Sequence, residues 1–580
     1  GTVIVDTLDA TAYYYQKWIE IESPVTMEIN STFNTTTQGE FSSLTISGNG
    51  NLVVNAKPTN TAKVTATGVN VTGTEADSLP TDLPAQWTGA VSNDWANLAN
   101  WTGISAISDL QTEDTVTIPA GLTRYPVASA ATPVTLNGKL IMESGASALF
   151  AGSTTLNEVD APDAVITTGT STITFNNTTD LGQLTLGSGA TVISKADLTL
   201  GTLSGAAGPD TTKLRFNQGA GGQTTAITAM TFNGSEIDFG NADTDTFTLG
   251  AGAGTLDISA TGTVKLAGTI NSSNLTLNDS PSLAANTTLP KVTLAYDTTI
   301  DGGSTYKVTF AGDVITDGTE HDLTVNAKGI TQNLNTSLGT ALNKLKNISL
   351  NSSTGTHYEG NNPSSINCTE SLSVTDAWFR GIINAGTITA SNGAQFLGGT
   401  TTVTTTGNQT YSGDVVVNEN VTLLAPSDAT ITFNTIHSHA SYSAKDLTIG
   451  SSTQTPKVIF NGTVGNSQPF NSITIYGDTE IKRDINSSGT QTYKGNVTLA
   501  GSISGSANTF NNLTIAGTGT SLISGNNKVN GDFTCTQAGK TLSFEAGKTL
   551  TVDGSFTITG EAASKITLNS QTAGSQWILT

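Results

Sequence analysis

Short strands in which apolar residues alternate with threonine or serine recur along almost the whole chain. The commonest unit is an aliphatic residue, then Thr or Ser, then a second aliphatic residue. Because alternate side chains of a strand share a face, the aliphatic pair is expected to face a core and the central Thr to face water. The unit occurs at residues 44–46, 184–186, 198–200, 275–277, 292–294, 348–350, 447–449, 473–475, 497–499, 513–515 and 566–568.

The spacing of these units indicates a repeat architecture. In the final third they begin at residues 447, 473, 497 and 513, with related strands at Phe533, Leu550 and Ile566. Steps of roughly 16 to 26 residues match one coil of a parallel β-solenoid, although the strands of a β-sandwich have similar spacing.

A recurring Phe-Asn dipeptide favours the solenoid. It occurs at residues 33, 175, 216, 232, 433, 460, 470 and 510. A Phe can fill the core of each coil, and the following Asn can turn the chain and bond to the backbone or to an Asn of the next coil. A longer duplication agrees, since Gln409-Thr410-Tyr411-Ser412-Gly413-Asp414-Val415 returns as Gln491-Thr492-Tyr493-Lys494-Gly495-Asn496-Val497.

These patterns predict an all-β protein, a parallel β-solenoid (β-helix), with a small N-terminal β unit and a Trp-rich cap. Residues 87–127 hold three of the six Trp, Trp87, Trp95 and Trp101, as suits a cap over an end coil. The predicted organisation is an N-terminal β unit over 1–73, a linker over 74–86, a capping segment over 87–135 and solenoid repeats over 136–580. Residues 336–347 alone show a weak 3.6-residue period, which fits either one short helix or another coil.

The Gln-Thr-Tyr-x-Gly-Asp/Asn-Val copies and the Phe-Asn coils resemble the β-strand repeats of large bacterial surface proteins of the filamentous-haemagglutinin and autotransporter-passenger kind. The Trp-rich stretch, through Thr117-Ile118-Pro119 and Tyr125-Pro126-Val127, is similar to a module that opens repeat domains in very long surface proteins of spirochaetes and Bacteroidetes. The resemblance implies secretion, surface exposure and adhesive or structural work, and it implies no catalytic residue.

Composition narrows the possible functions. Charged residues make up 12% of the chain, Gly numbers 61 and the formal charge is −22. The only arginines are Arg124, Arg215, Arg380 and Arg483, so no basic cluster can neutralise phosphates, and we expect no nucleic-acid binding. The polar residues alternate with aliphatic ones, which argues against disorder.

Cysteine usage and the chain ends give further expectations. Cys368 and Cys535 lie far apart without neighbouring ligands, so we expect two buried free thiols rather than a disulfide. No run of 18 apolar residues occurs, so no transmembrane helix is expected. The chain begins at Gly1 without a leader and stops within an apolar strand pattern at residues 575–580, which is expected of a mature chain or a piece of a longer one.

Two clusters are candidates for metal binding. Asp243-Thr244-Asp245 would place two carboxylates on one strand face, with a solvated turn as the alternative. His437-Ser438-His439 would place two imidazoles on one strand face, which suits one side of a zinc or copper site, with an exposed polar strand as the alternative. His321 and His357 are isolated, and whether any of these groups binds metal stays open.

The sequence therefore predicts a secreted or cell-surface structural and adhesive protein without enzymatic activity or cofactor. It would be a fibre or surface-layer component that associates end to end and contacts cell-surface or matrix glycans. The alternative is a carbohydrate-binding or polysaccharide-degrading β-helix protein, with Trp378 and Phe379 or residues 13–15 (Tyr-Tyr-Tyr) as stacking platforms. About twenty Asn-x-Ser/Thr sequons, Asn100 and Asn367 among them, are candidates for glycosylation in an N-glycosylating host.

Overall fold

The structure is a computed structural model that describes most of the chain from residue 85 onward. It describes residues 85–580 except 206–210, 233, 251–254, 259–262, 278–279, 334–335, 355, 359–364, 398–400 and 442, together with residues 2–9, 12–13, 17–21, 25–34, 37–38, 44–48, 50–54, 64–67 and 69–73. The fold is all-β, with 56% strand and 2% helix, and forms a parallel β-solenoid of about 21 turns. The predicted fold class is confirmed.

Parallel pairing between successive coils distinguishes this fold from a sandwich. Asp446–Ile449 pairs in parallel with Val421–Leu424 of the preceding coil and with Ser472–Ile475 of the following coil. Neighbouring strands in such a stack lie about 4.8 Å apart, so each coil buries its apolar side chains against the next. Leu447 and Ile449 are buried, whereas Thr448 between them is partly exposed. The predicted inward and outward alternation is confirmed for this unit.

The chain divides into two compact units, an N-terminal unit of Gly1–Glu236 and a C-terminal unit of Ile237–Thr580. The strands before residue 74 are themselves solenoid coils, since Thr2 pairs in parallel with Thr26, and Thr26 with Asn51. These strands are Thr2–Asp9, Ala12–Tyr13, Lys17–Ile21, Thr26–Asn34, Thr37–Gln38, Leu44–Gly48, Asn51–Val54, Val64–Thr67 and Asn70–Thr72. Residues 74–84 of the predicted linker lie outside the described residues, and its last two residues belong to the strand Ala85–Trp87.

From the Trp-rich segment onward, strands follow one another with short turns. They are Ala85–Trp87, Trp101–Thr102, Thr115–Ile118, Val127–Ala128, Val134–Met142, Ser147–Phe150, Thr154–Thr168, Thr172–Phe175, Thr179–Thr185, Thr191–Ser194, Leu198–Ser204, Lys213–Arg215, Thr224–Thr231 and Glu236–Asp238. The described helices are two short 3₁₀ segments, Leu98–Asn100 and Ile107–Gln111.

Coils of the C-terminal unit have three sides, which we call walls 1, 2 and 3 in chain order. Wall 1 consists of Thr255–Ile258, Asn274–Leu277, Val292–Leu294, Val314–Thr316, Ser337–Leu338, Ile382–Ala385, Thr401–Thr405, Val421–Leu424, Asp446–Ile449, Ser472–Ile475, Thr490–Tyr493, Ala507–Phe510, Asn526–Val529, Thr549–Val552 and Ile578–Leu579. Ser365–Phe379 runs through all three walls. The strand pairings make wall 1 continuous from one coil to the next.

Walls 2 and 3 are stacked in the same way. Wall 2 holds Thr298–Asp301, Leu323–Ala327, Leu345–Ser352, Lys457–Phe460, Thr479–Ile481, Val497–Leu499, Leu513–Ile515, Phe533–Cys535 and Phe556–Ile558. Wall 3 holds Thr246–Leu249, Lys307–Phe310, Gly329–Gln332, Thr356–Tyr358, Ile485–Asn486, Ile503–Ser504, Thr520–Ile523, Thr541–Phe544 and Thr567–Ser570. Thr263–Asn271, Ser282–Leu289, Thr387–Phe396, Gln409–Val417 and Thr430–Ser438 bend from wall 2 into wall 3.

The segment 336–347 is another coil and not a helix. Its residues form the wall 1 strand Ser337–Leu338 and the start of the wall 2 strand Leu345–Ser352. Leu342, in the turn between them, is 94% exposed, whereas Leu338 and Leu345 are buried in their strands, so the three leucines do not share one buried face. Of the two alternatives that the sequence left open, the structure therefore selects the coil.

Trp87, Trp95 and Trp101 form a buried cluster at the first coil of this array. The ring of Trp101 lies edge-on to Trp87 and Trp95, with centroid distances of 5.1 and 4.8 Å, and Trp95 contacts Phe150 at 5.4 Å. The strand Trp101–Thr102 pairs antiparallel with Ala85–Trp87, whose opposite edge pairs in parallel with Thr115–Ile118. The Trp-rich segment thus gives a backbone partner to a strand edge that the parallel stack leaves open.

Asn100 holds this segment together through the hydrogen bonds of its side chain. Its buried side chain accepts the N–H groups of Val91 and Ser92 at 3.0 and 2.8 Å and donates to the Asp94 carbonyl at 3.0 Å. Asn100→Ala would leave these backbone groups unpaired, so we expect a loss of about 2–3 kcal/mol and faster amide hydrogen exchange in residues 85–102.

The matched control is Asn97→Ala, because Asn97 is only half-buried and its side chain accepts the N–H of Ala99. It should cost about 1 kcal/mol or less. Equal exchange rates in both variants would show that Asn100 does not hold the segment. Asn100 is also a sequon residue, and its buried, fully bonded amide is closed to glycosylation in the folded chain, as is the buried amide of Asn367.

Aromatic residues of successive coils stack in the core, as the Phe-Asn repeat predicts for its Phe. On wall 2, Tyr411 stacks on Phe433 with ring centroids 5.0 Å apart, and Phe433 on Phe460 at 5.5 Å. On wall 3, Phe379 stacks on Phe396 at 5.5 Å, and Phe396 meets Tyr411 edge-on at 6.0 Å. These five rings, which we call the aromatic column, fill the interior of five coils.

The Asn that follows Phe meets the expectation only in part. Asn461 and Asn511 donate their backbone N–H groups to the carbonyls of Phe433 and Tyr493 in the preceding coil. Asn217 turns the chain by taking a left-handed backbone conformation, with φ of 52°. Side-chain bonds between Asn residues of neighbouring coils occur at other positions: Asn351 to Asn326, Asn384 to Asn367 and Asn512 to Asn496.

The two copies of the duplicated block contain the same side-chain hydrogen bond. Tyr411 donates its hydroxyl to the buried Gln409 amide oxygen at 3.0 Å, and Tyr493 does the same to Gln491 at 2.7 Å. The copies nevertheless lie on different sides of the coil, because Tyr411 belongs to wall 2 and Tyr493 to wall 1. Burial raises the pKa of both Tyr side chains, so they remain neutral hydrogen-bond donors.

Candidate functional site

Asp243 and Asp245 lie in a turn, which the sequence left open as the alternative, and not on a strand face. The strand begins at Thr246, and both residues lie in the preceding turn. The buried Asp245 carboxylate accepts the N–H groups of Asn241 and Ala242 at 3.0 and 2.9 Å. Asp243 instead accepts the backbone N–H and side-chain amide of Asn286, both at 2.7 Å. One carboxylate therefore holds the turn while the other ties it to a different coil.

His437 and His439 lie on the outer side of the chain, with buried Ser438 between them. His437 Nε2 lies 3.1 Å from Asp414 Oδ2 of the preceding coil, and its Nδ1 lies 2.7 Å from the Ser438 carbonyl. Nδ1 of His439 accepts the N–H of Ser441 at 3.1 Å.

His321 has a similar position, with Nε2 3.2 Å from Asp317 Oδ1 and Nδ1 3.7 Å from Asp297 Oδ1. His357 lies on the strand Thr356–Tyr358. Within the described ranges, no group of three or more His, Cys, Asp or Glu side chains is placed to hold a metal ion.

The two cysteines are buried free thiols in the structure, as predicted. Burial raises the pKa of the Cys368 thiol to about 12 and raises that of Cys535 as well. A thiol with a raised pKa has little thiolate at neutral pH, so neither residue is activated as a nucleophile.

Of the proposed aromatic platforms, Phe379 is buried in the aromatic column. Trp378 precedes it on the same strand, half-buried on the opposite face. The side chain of Tyr13 and the whole of Tyr14 and Tyr15 fall in the part of the chain that the structure does not describe. Phe379 is therefore a core residue and not a platform.

A groove at the corner between walls 2 and 3, which we call the corner groove, is the candidate binding site. Its volume is ≈ 670 Å³, within the range of small-molecule sites. It crosses five successive coils, since each coil contributes its own turn between the two walls. The groove is lined by Thr435, Gly462, Thr463, Lys482, Arg483, Asp484, Ala500, Gly501, Gly517 and Thr518.

Tight stacking of the turns explains the glycines of the corner groove. A Cβ on Gly501 would collide with the backbone of Arg483 one coil earlier, and a Cβ on Gly462 with the carbonyl of Asn434. Because these positions carry no side chains, the corner is concave and backbone groups are accessible there. The adjacent Lys482 and Arg483, in a chain with four arginines, are a faint signal for this site in the sequence.

Three cations lie at or below the corner groove. Arg483 is exposed, and its guanidinium has no hydrogen-bond or ion-pair partner among the described residues. Lys482 Nζ lies 3.6 Å from Glu480 Oε1. Lys540 is buried beneath the groove and donates to the carbonyl of the lining residue Ala500 at 3.2 Å. The acid of the groove, Asp484, accepts the N–H of Ser502 at 2.9 Å.

The buried Lys540 makes stability depend on pH. Burial lowers its pKa below the ordinary 10.5, and this shift is only partly opposed by Cys535. Between the lowered pKa and 10.5 the unfolded chain binds a proton that the folded chain does not, so the free energy of unfolding should rise with pH. Urea unfolding from about pH 7 to about pH 10 should show this rise relative to Lys540→Met.

Both proteins in that comparison retain Cys535, whose raised pKa acts in the opposite direction, so its contribution largely cancels in the difference. A parallel pH dependence for the two proteins would show that Lys540 remains protonated in the folded chain.

The coils and walls define this chain as a parallel β-solenoid repeat protein. Comparison with known proteins finds no match among family models, curated proteins or solved structures. Among the residues described, no helix is long and apolar enough to cross a membrane.

Proposed function

We propose that the chain is an extracellular structural and adhesive protein of a cell surface, and a component of a fibre or surface layer. The observation that carries the proposal is the regular exterior of the coils. On walls 1 and 2 a buried aliphatic pair alternates with an outward Thr in successive coils, as at Thr448, Thr474 and Thr498. Stacked coils of this kind present extended binding surfaces on a rigid support.

Rigidity is supported by the inner contacts of the coils. The aromatic column and the Gln-Tyr bonds fill the interior, while the in-register strands tie each coil to the next. A scaffold with these properties suits a protein that presents a surface away from the cell. The low share of charged residues and the resemblance to bacterial surface proteins point the same way.

Surface location is tested by labelling intact cells that produce the protein with antibodies raised against the purified chain. We expect labelling without permeabilisation, and its loss after brief external protease treatment. A cytoplasmic marker protein provides the control. Labelling that requires permeabilisation would overturn the proposal.

Adhesion and self-association need separate measurements. Purified protein should reduce attachment of the producing cells to their substratum, and electron micrographs at rising concentration should show particles joined end to end. Particles of constant length would contradict end-to-end association. Unchanged attachment would contradict an adhesive role.

The second candidate function is carbohydrate binding. The corner groove is the observation that favours it, because hydroxyl side chains, exposed backbone and cations occur there together.

A further inference from the structure

We infer that the corner groove binds a carboxylate-bearing saccharide, with Arg483 and Lys482 as the groups that recognise its charge. This inference rests on the proposed adhesive role and names the ligand chemistry for it.

Arg483 is the arginine that lines the corner groove. Of the four arginines, Arg215 pairs with Glu236 at 2.7 Å, and Arg124 donates to the carbonyls of Gly89 and Ala90 at 3.3 and 3.2 Å. Arg483 alone among the four combines an exposed position in a cavity with the lack of a partner in the described parts of the chain. The planar guanidinium matches a carboxylate through two parallel hydrogen bonds.

Lys482 and Lys540 contribute positive charge near Arg483. Lys482 shares Glu480 with Lys457, whose Nζ lies 3.7 Å from Glu480 Oε2, so a single carboxylate faces two ammonium groups. Lys540, when protonated, adds positive charge below the floor at Ala500. Asp484 is the opposing charge in the groove, and a backbone N–H already binds one of its oxygens. An anion is therefore favoured in the groove although the whole chain carries −22.

The remainder of the lining suits sugar hydroxyls. Thr435, Thr463 and Thr518 come from three different coils, and each hydroxyl can both donate and accept a hydrogen bond. Gly462, Gly501 and Gly517 leave backbone accessible between them. The turns that carry these residues follow the coil spacing of about 4.8 Å. A chain of sugar units laid along the corner can therefore meet a hydroxyl or a cation at four of the five turns, and backbone at the turn of Gly501.

Binding is tested with the purified chain and fluorescently labelled oligogalacturonate as the probe. Neutral dextrin oligomers of similar length show whether the carboxylates are needed, and competition with free citrate or sulfate separates a saccharide site from a general anion site. We expect binding of oligogalacturonate only, weakened by salt, with little competition from either free anion.

Variants locate the site. Lys482→Ala combined with Arg483→Ala should weaken binding about tenfold or more, because charged hydrogen bonds are lost. Arg483→Lys keeps the charge but loses the paired geometry, so it should have an intermediate effect. Lys528→Ala is the matched control, since Lys528 is an exposed lysine paired with Asp553 on wall 1, away from the groove lining, and should bind as the unmodified chain does.

The binding experiments test the saccharide site in the corner groove separately from the proposed surface function. Oligogalacturonate binding that is absent, that matches dextrin binding, or that survives in the double variant would overturn the inference. Equal displacement by citrate or sulfate would reduce the groove to a general anion site and overturn its saccharide specificity. Surface labelling of cells that carry the double variant reports on the proposed surface location independently, because antibody labelling does not require this ligand.

Discussion

Replacing Phe433 with alanine is expected to lower the free energy of unfolding of the C-terminal unit by about 3–5 kcal/mol. Phe433 is fully buried and stacks on Tyr411 in the coil before it and on Phe460 in the coil after it. Its loss leaves a cavity between two rings that are fixed by their own strands, so neighbouring side chains cannot move far enough to fill it. Urea unfolding followed by circular dichroism provides the measurement.

Two substitutions serve as controls for Phe433. Phe433→Leu keeps much of the buried volume and should cost clearly less than the alanine variant. Thr432→Ala changes the outward neighbour on the same strand and should change stability by no more than about 0.5 kcal/mol. If Phe433→Ala were as mild as Thr432→Ala, the aromatic column would not be a main source of stability.

Gly495→Ala is expected to have the second-largest effect, a loss of about 2–3 kcal/mol. Gly495 turns the chain between walls 1 and 2, and an added Cβ would collide with the backbone of Gly477 one coil earlier. Backbone atoms fixed in a ladder cannot move aside as a flexible side chain can, so neighbouring coils must separate locally. The melting temperature of the variant should fall accordingly.

Lys494→Ala is the control for Gly495, because it alters the adjacent, exposed side chain of the same turn. Gly413→Ala tests the other copy of the duplicated block, where a Cβ would collide with the backbone of Asn392 and Gly393. Both glycine variants should lose stability while Lys494→Ala keeps it. A neutral Gly495→Ala would mean that the coils have more space at this corner than the stacking shows.

The same tight corners connect stability with the proposed binding site. Gly501 is required because its turn lies against the backbone of Arg483, and the missing side chain leaves Arg483 accessible from the groove. Residues that allow coils to stack thus also shape the surface that a ligand would meet. Substitutions at Arg483 or Lys482 should therefore alter binding without the loss of stability expected for the glycines.

The inner and outer faces of each strand could be predicted from the sequence, because they depend only on the alternation of residues within that strand. The alternation Leu447-Thr448-Ile449 determines which side chains are buried, and the Trp cluster and the stacked Phe residues followed from composition and spacing. The solenoid was predictable because the pattern repeats at coil length. The sequence left Asp243 and Asp245 open between a strand face and a turn because the alternation does not mark where a strand begins, and in the structure both lie in the turn before Thr246.

Tertiary structure decided which coil positions meet. The two Gln-Thr-Tyr copies form the same bond between Gln and Tyr, yet Tyr411 lies on wall 2 and Tyr493 on wall 1, because the number of residues in the intervening turns sets the side of the coil. The corner groove likewise joins Thr435 to Thr518 across five coils. The sequence by itself determined the strand, its inner face and its repeat, since these depend on neighbouring residues. The corner groove depends on the stacking of coils, because each coil contributes only one turn to its lining.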